Sequence, residues 1–302
     1  MKGICKKYRY DFKFFIIILL LVFLSACNGM TPTTPIINSF TADSTKIEEG
    51  EVVTLSWVVT DASSVIINPA IGSVALSGST SVTPSETTTY TLTATKGAES
   101  STASVTVIVE KILTIQPGPI EGKDSYVSSL TPGFNYGSND YLAIGQSIFS
   151  TLGVYRANFV FESYNLNSFL QFDLNTLPED SVVVSAVLKL FQTASLDTSG
   201  LIIGVHQITQ AWEENIITWN NQPDYLTSAE STVTVPIFIN GWLSWDITSL
   251  VQGWTNGSIA NYGIALQKDS MMMEIIYINC YSSDYAGNPT LRPKLEITYY
   301  EP

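Results

Sequence analysis

The sequence predicts an all-β chain built from two sandwich domains, the second much longer than the first. Short runs of alternating apolar and polar residues recur along most of the chain, which is the pattern of half-buried strands. Gly, Pro, Ser and Asp separate these runs, and helical spacing is confined to two short segments. A proline-containing stretch divides the runs into two blocks, so we expect two domains.

The N-terminus has the pattern of a signal peptide. Five basic residues precede the apolar run 14–24, whose 11 residues fall well short of the ~20 that a membrane-spanning helix needs. Leu24-Ser25-Ala26-Cys27 closes the run and resembles the lipobox of bacterial lipoproteins. The resemblance implies removal of residues 1–26 and diacylation of Cys27. Two chains matter for stable attachment, because one acyl chain alone anchors a protein only marginally. The alternative is an ordinary signal peptide cut after Ala26, which leaves Cys27 free.

The mature chain is strongly acidic. Without residues 1–26 it keeps nine basic and 26 acidic residues, a formal net charge of −17. A field of this sign repels phosphate backbones and anionic lipid surfaces, which excludes nucleic acid as a partner. The same reasoning disfavours polyanionic polysaccharides such as alginate. Cys280 is then the remaining cysteine besides Cys27, so the fold is held by packing and not by disulfides.

Residues 27–35, rich in Thr and Pro, are predicted to form a tether, and residues 36–111 a small antiparallel sandwich. Val53, Leu55 and Trp57 share one strand face, which makes Trp57 the expected core aromatic. The predicted strands are Val52–Val59, Ser64–Ile67, Thr88–Ala94 and Ser104–Val109.

Two segments of this first domain, 50–57 and 87–94, carry the patterns Gly-Glu-Val-Val-Thr-Leu-Ser-Trp and Thr-Thr-Thr-Tyr-Thr-Leu-Thr-Ala. They resemble bacterial immunoglobulin-like domains, which serve as spacers in surface proteins. The resemblance implies that residues 36–111 form a stalk.

Residues 112–123 contain Pro117-Gly118-Pro119 and are predicted to be a linker. Residues 124–302 are predicted to form a jelly-roll-like sandwich. Short helical pieces are expected at 209–213 and after a cap at Thr248 or Ser249. The predicted strands are Asp124–Val127, Tyr141–Ile144, Ser168–Leu174, Val182–Phe191, Leu201–Ile208, Leu243–Ile247, Tyr262–Gln267, Ile275–Tyr281 and Lys294–Tyr300.

A series of short motifs in the second domain resembles the DNRLRE-type domain, also classed as carbohydrate-binding module family 96. The resemblance implies an all-β accessory module of secreted or surface proteins, with some members binding polysaccharide such as alginate. Residues 156–167 depart from the pattern as an insertion. The matching segments are Asp124–Val127, Asn135–Ser138, Phe169–Leu174, Ala186–Leu190, Trp212–Glu214, Ile217–Pro223, Trp245–Thr248, Asn261–Gly263 and Arg292–Leu295.

Aromatic residues are concentrated in the second domain, which holds five of the six tryptophans and 12 of the 15 tyrosines. Aromatic rings stack on the apolar faces of sugars, so this composition favours carbohydrate binding. Trp212, Trp219, Trp245 and Trp254 lie in apolar rows or family motifs and are expected in the core. The candidate binding residues are instead aromatics flanked by turn residues: Tyr136, Tyr141, Trp242, Tyr281 and Tyr285.

The sequence offers little material for catalysis, and we predict that the chain is not an enzyme. The single histidine, His206, lies in an alternating strand and is expected to be structural. A zinc site built from several His or Cys ligands is excluded by their number. Glycoside hydrolysis would need only two carboxylates, and three are available: Glu213, Glu214 and Asp246.

No cofactor is predicted with certainty, but a structural calcium ion is an open alternative. Carbohydrate-binding sandwiches often hold calcium through acidic and carbonyl oxygens, and Asp124, Asp140 and Asp284 are the candidate ligands. The simpler interpretation is that these carboxylates are solvated.

Two functions therefore remain. In the first, a lipid-anchored protein at the cell surface or periplasmic face presents a module that binds a largely neutral polysaccharide. In the second, a structural or adhesive surface protein contacts protein or envelope partners and binds no free sugar. Exposed aromatics would favour the first, and a buried aromatic set would favour the second.

Overall fold

A computed structural model of the chain describes residues 33–152, 159–193, 200–236, 240–269 and 276–302. They divide into two compact units, one holding the described residues through 45 with 52–82 and 89–106, the other holding 46–51, 83–88 and 107–302. Cys27 and the predicted signal peptide lie outside the described residues. Within the described ranges, no helix is long and apolar enough to cross a membrane.

Strands dominate both units, with one α-helix and two short 3-10 helices among the described residues. The strands are β1 Ile36–Ala42, β2 Lys46–Glu48, β3 Val53–Thr60, β4 Ser64–Asn68, β5 Gly72–Val74, β6 Ser77–Val82, β7 Thr88–Lys96, β8 Glu99–Ile115, β9 Lys123–Ser128, β10 Tyr141–Leu152, β11 Phe159–Gln171, β12 Val182–Gln192, β13 Ile202–Gln207, β14 Ser231–Thr234, β15 Gly241–Asp246, β16 Ile264–Lys268, β17 Tyr277–Tyr281 and β18 Lys294–Tyr300. Helix α1 is Thr248–Thr255, and the 3-10 helices are Trp219–Asn221 and Pro289–Leu291.

The first unit contains two sheets. Strands β1, β3 and β6 form one, and β4 pairs antiparallel with β5 and β7 in the other. Val53, Leu55 and Trp57 are buried along β3 while the alternate residues are more exposed, as the two-residue period of a strand requires. Trp57 is a core aromatic, and its indole N–H donates to the Ala75 carbonyl at 2.8 Å.

The second unit has two runs of paired strands around one apolar core. The first run is β14-β13-β16-β11 and the second is β10-β17-β12-β18, with β15 on the other edge of β12. Strands β10 and β11 also pair with each other, which joins the two runs at one end. The Trp245 indole N–H on β15 donates to the Ile203 carbonyl on β13 at 3.0 Å, across the core. The two runs therefore face each other as the layers of a sandwich.

The all-β sandwich class is confirmed, and the predicted tryptophan positions agree with it. Trp212, Trp245 and Trp254 are buried, and Trp219 packs half-buried against a small cluster that includes Trp212. Trp245 is completely buried. Trp245 therefore stabilises the fold and is not available to a ligand, whereas Trp254 lines a pocket of about 560 Å³.

Helix α1 forms where the sequence predicts it, but its start differs. Ile247 takes the cap position, and the Asp246 carboxylate accepts the Thr248 N–H at 3.0 Å. The hydroxyl of Thr248 is engaged as well, because it accepts the Ala186 N–H at 2.9 Å. The Thr248 side chain therefore ties the start of helix α1 to the backbone of strand β12.

Two local predictions differ from the structure, and a third is not tested. Residues 209–213 form no helix, because the Thr209 backbone N–H instead bonds across to the Asp224 carbonyl. The predicted insertion, residues 156–167, is described only from Phe159, where strand β11 begins. Residues 112–115 of the predicted linker belong to β8, since they pair with β18 and Leu113 and Ile115 pack against the core.

Candidate functional site

The outward face of strands β10 and β17 carries several of the aromatic residues that the sequence singles out. Antiparallel pairing places Tyr141 opposite Tyr281. The adjacent residues Leu142 and Cys280 point the other way and are buried in the core. Because side chains alternate between the faces of a sheet, Tyr141 and Tyr281 share the outer face.

Four rings form an aromatic band on this face: Phe191, Trp242, Tyr281 and Tyr285. Tyr281 stacks on Tyr285 with ring centroids 3.6 Å apart, and on Phe191 at 6.0 Å. Trp242, opposite Phe191 in the β12–β15 pair, meets that ring edge-on at 5.5 Å. Trp242 remains 37% exposed, so the band ends in an indole that solvent reaches.

Charged side chains lie beside the indole end of the band. The Lys294 ammonium lies over the Trp242 ring, 4.7 Å from its centroid. Glu296 accepts from Lys294 at 2.8 Å and from Lys189 at 2.5 Å. These two contacts hold the pKa of Glu296 below its usual value, Lys189 having the larger effect. Two lysines and one glutamate make this patch locally more basic than the acidic chain as a whole.

A pocket of about 180 Å³ lies on the same outer face. Its wall includes five tyrosines, which we call the tyrosine pocket: Tyr126, Tyr136, Tyr141, Tyr164 and Tyr277. Tyr126 is stacked between Tyr136 and Tyr141, with centroids 4.1 and 5.5 Å away. Burial raises the pKa of Tyr126, and the hydrogen bond to the Tyr141 hydroxyl raises it further. The Tyr126 phenol therefore stays neutral and can both donate and accept hydrogen bonds.

The tyrosine pocket has one clearly exposed ring. Tyr277 is 41% exposed on the rim. Asn279 also lines the wall, but its side-chain oxygen is buried and has no hydrogen-bond partner among the described residues. Pockets that enclose drug-sized ligands usually have volumes of about 300–1,000 Å³, so this one suits a single sugar unit of a longer chain.

The structure places the five predicted binding residues in these two neighbouring features. Tyr136 and Tyr141 line the tyrosine pocket, while Trp242, Tyr281 and Tyr285 belong to the aromatic band. Sequence reasoning missed Phe191, Tyr126, Tyr164 and Tyr277. Alternation within the predicted strands could have found two of them, because Phe191 follows the buried Leu190 and Tyr277 precedes the buried Ile278.

Three carboxylates from distant parts of the second unit form a cluster. One oxygen from each of Asp124, Glu214 and Asp284 lies within 4.8 Å of the other two. Two of these residues are predicted calcium ligands, and Glu214 is the additional member. Asp140, the third predicted ligand, is outside the cluster, because its side chain is on an exposed turn.

The cluster concentrates negative charge in a poorly solvated place. Asp124 is 3% exposed, and burial is the main reason that its pKa rises to about 7. The Ser283 N–H, which donates to Asp124 at 2.8 Å, opposes this rise, while the charges of Glu214 and Asp284 add to it. Burial likewise raises the pKa of Glu214 and of Asp284.

The structure describes the surroundings of three groups considered for catalysis: His206, Cys280 and Glu213. His206 is completely buried, its Nδ1–H donates to the Leu226 carbonyl at 2.9 Å, and its Nε2 accepts from the Gln267 amide at 3.1 Å. Burial raises the pKa of the Cys280 thiol to about 12, which makes it a poor nucleophile. The Glu213 side chain is 71% exposed, with Lys123 at 3.9 Å.

Comparison with solved structures gives distant matches. One is SGBP-B of a Bacteroides ovatus mixed-linkage glucan utilisation locus, in complex with a mixed-linkage heptasaccharide, at 13% identity and a TM-score of 0.23. That match covers 84% of this chain and 50% of the other, so this chain spans about half of that protein. Another is a structure of domains CD, residues 230–489, of its protein, at 12% identity and a TM-score of 0.22. It covers 89% of this chain and 98% of the other.

No curated protein matches the sequence significantly. A family model, by contrast, matches residues 119–299, a stretch that contains the aromatic band, the tyrosine pocket and the carboxylate cluster. This match covers more than half of the chain and agrees with the resemblance in the sequence motifs. The chain belongs to carbohydrate-binding module family 96.

Proposed function

We propose that this chain is a non-catalytic surface lipoprotein that binds a polysaccharide through the outer face of the β10–β17–β12 layer. In this proposal the aromatic band and the tyrosine pocket together form the binding surface. Residues 36–111 act as a spacer, and Cys27 carries the lipid.

The observation that carries this proposal is the aromatic band. Rings from three separate segments, at positions 191, 242, and 281 with 285, meet on the outer face, while the same strands bury their alternate residues. A core does not require these contacts, because Trp242 remains partly exposed. Stacking on sugar rings is a use for which such a surface is suited.

The polar groups around the rings support a hydroxyl-rich ligand. The tyrosine hydroxyls donate and accept, and Lys294 offers donors at the Trp242 end. The net charge of the chain favours a neutral polymer. The basic patch at Lys189 and Lys294 is where an anionic polymer would bind if the local charge prevailed.

The test is affinity electrophoresis of residues 28–302 through gels containing neutral or anionic polysaccharides. We expect a neutral polymer to retard the wild type, and Trp242→Ala and Tyr281→Ala to abolish the retardation. Tyr300→Ala is the matched control, because Tyr300 lies half-buried at the opposite end of β18 from Lys294, roughly 20 Å along the strand. This control variant should be retarded as strongly as the wild type.

Other outcomes have distinct meanings. Retardation only by an anionic polymer would contradict the neutral-ligand part of the proposal. A folded protein that no polymer retards would contradict carbohydrate binding and favour the structural or adhesive function. Equal loss of binding in Tyr300→Ala would show that the band is not the specific surface.

Lipidation of Cys27 needs a separate test. Cells expressing the full chain would be fed labelled palmitate, and the label should be lost in Cys27→Ser but kept in Cys280→Ser. Label that persists in Cys27→Ser would contradict the lipid anchor without bearing on sugar binding.

A further inference from the structure

We propose that Asp124, Glu214 and Asp284 form a calcium site that holds together the segments carrying the aromatic surface. The three residues come from strand β9, the connection between β13 and β14, and the turn after β17. Segments 90 and 70 residues apart in sequence are thus brought to one point.

The spacing of the oxygens fits one cation. Calcium binds oxygen ligands at about 2.3–2.6 Å, so two ligands of one ion lie no more than about 5 Å apart. The three carboxylate oxygens lie within 4.8 Å of one another. An ion placed among them would contact all three.

Ser283 supplies an independent indication of a ligand. It is 1% exposed, and its hydroxyl lies beside the Asp124 carboxyl group. The hydroxyl is close enough to Asp124 to lower the pKa of that carboxyl group, but it forms no hydrogen bond of normal geometry with any described residue. Its oxygen could therefore still interact with a cation at the cluster.

Burial raises the pKa values of Glu214 and Asp284 more than the nearby charges of Lys123 and Arg292 lower them, so the protein's own cations offset the charge of the cluster only in part. Among the described residues, no ion pair joins Asp124, Glu214 or Asp284 to a lysine or arginine. The nearest candidates bind elsewhere: Lys123 lies 3.9 Å from Glu213, and Arg292 donates its Nε–H to the Tyr285 carbonyl at 2.9 Å. A bound cation would therefore relieve the remaining repulsion among the three carboxylates.

The ligand chemistry selects calcium. All the candidate ligands are oxygens, which suits a hard cation and not zinc or copper. The ligands come from irregular connections as well as a strand, and calcium tolerates irregular geometry better than magnesium does.

The position of the cluster gives the ion a role in sugar binding, an extension that rests on the proposed function. Asp124 lies two residues before Tyr126, and Asp284 immediately precedes Tyr285. The Glu214 carbonyl accepts the Asn135 side-chain amide at 2.7 Å, next to Tyr136. An ion at the cluster would join three segments that hold tyrosines of the binding surface.

The experiment is a thermal unfolding measurement on residues 28–302, which contain every described residue. The protein is first treated with EDTA, and melting is then followed with no metal, with magnesium chloride and with calcium chloride. We expect calcium at about 100 times its Kd to raise Tm by about 5–10 °C. Calorimetric titration should show about one binding site, and magnesium should have a much smaller effect.

Two variants separate binding from folding. Asp284→Asn should lose most of the calcium-dependent shift, yet without metal its Tm should equal or exceed that of the wild type, because one repelling charge is gone. Asp140→Asn is the matched control, since Asp140 is an exposed acid on a neighbouring turn, and it should keep the full shift.

The proposal is overturned if folded wild-type protein shows neither a Tm shift nor binding heat with calcium, or if Asp140→Asn loses as much as Asp284→Asn. Neither readout involves a polysaccharide. Failure of calcium binding is therefore distinguishable from failure of sugar binding, which gel retardation measures. If both occur, retardation should weaken in EDTA and return with calcium, and unchanged retardation would contradict the link between the two.

Discussion

The two faces of the β10–β17–β12–β15 layer use similar residues for different purposes. Trp245 and Trp242 lie three residues apart on β15, yet Trp245 is fully buried with its N–H bonded across the core, while Trp242 is partly exposed beneath Lys294. The inner face fixes the fold, and the outer face can be altered at little cost to it. An aromatic residue in this module therefore has to be assigned by its face and not by its type.

The largest expected effect is on the inner face. Trp245→Ala removes a fully buried ring and leaves the Ile203 carbonyl without its donor, so we expect a loss of about 3–5 kcal/mol in the free energy of unfolding. Urea denaturation of residues 28–302 measures it. A loss below about 1 kcal/mol would mean that the two faces do not differ as described.

The burial of the inner face can also be tested by chemical labelling of the Cys280 thiol. In residues 28–302 it is the sole thiol, and burial raises its pKa to about 12. Labelling by a thiol reagent at pH 8 should be at least about 100-fold slower in the folded protein than in denaturant, because reaction needs the exposed thiolate. Rapid labelling of the folded protein would show that β17 opens to solvent.

The outer face should show the reverse behaviour. Trp242→Ala removes a partly exposed ring and its contact with Lys294, so the free energy of unfolding should fall by only about 1 kcal/mol. Polysaccharide retardation should nevertheless be lost. A stability loss as large as that of Trp245→Ala would remove the distinction between the faces.

The smallest effect is electrostatic and depends on pH. Lys189 and Lys294 lower the pKa of Glu296 below its usual 4.5, so their stabilisation is complete above pH 4.5 and is lost as the pH falls through the lower folded-state value. Because these groups are partly exposed, Glu296→Gln should cost only about 0.5 kcal/mol at pH 6, and this cost should shrink toward zero as the pH falls through the folded-state pKa of Glu296. Thermal melts of both proteins across this range measure the difference. A constant difference would indicate a packing effect instead.

The strand pattern was predictable because alternation is a local property. The rows at Val53, Leu55 and Trp57 and at Leu243, Trp245 and Ile247 are buried as the period requires. The helix expected at 209–213 was wrong because its backbone bonds to a segment around Asp224, a contact that no local pattern contains. The conformation of such short segments is determined by hydrogen bonds to residues distant in sequence.

The candidate site was predictable in part, for the same reason. Flanking turn residues pointed to Tyr141 and Tyr281 separately, but their pairing across 140 residues of sequence is a result of topology. Glu214 was assigned to a structural motif, and nothing local connects it with Asp124 or Asp284. Clusters assembled from three distant segments need the fold before they can be recognised.

The pairing of β8 with β18 has a mechanical consequence. Five residue pairs, from Lys111 with Tyr299 to Ile115 with Leu295, join the stretch through which the chain enters the second unit to a strand of its core layer. Tension transmitted along the chain while a polymer holds the outer face would load these pairs in shear. Strands loaded in shear must break several hydrogen bonds together, whereas strands that are peeled apart break them one at a time. Under the proposed function of an anchored, polymer-binding protein, this pairing would help the module to stay folded while it is pulled.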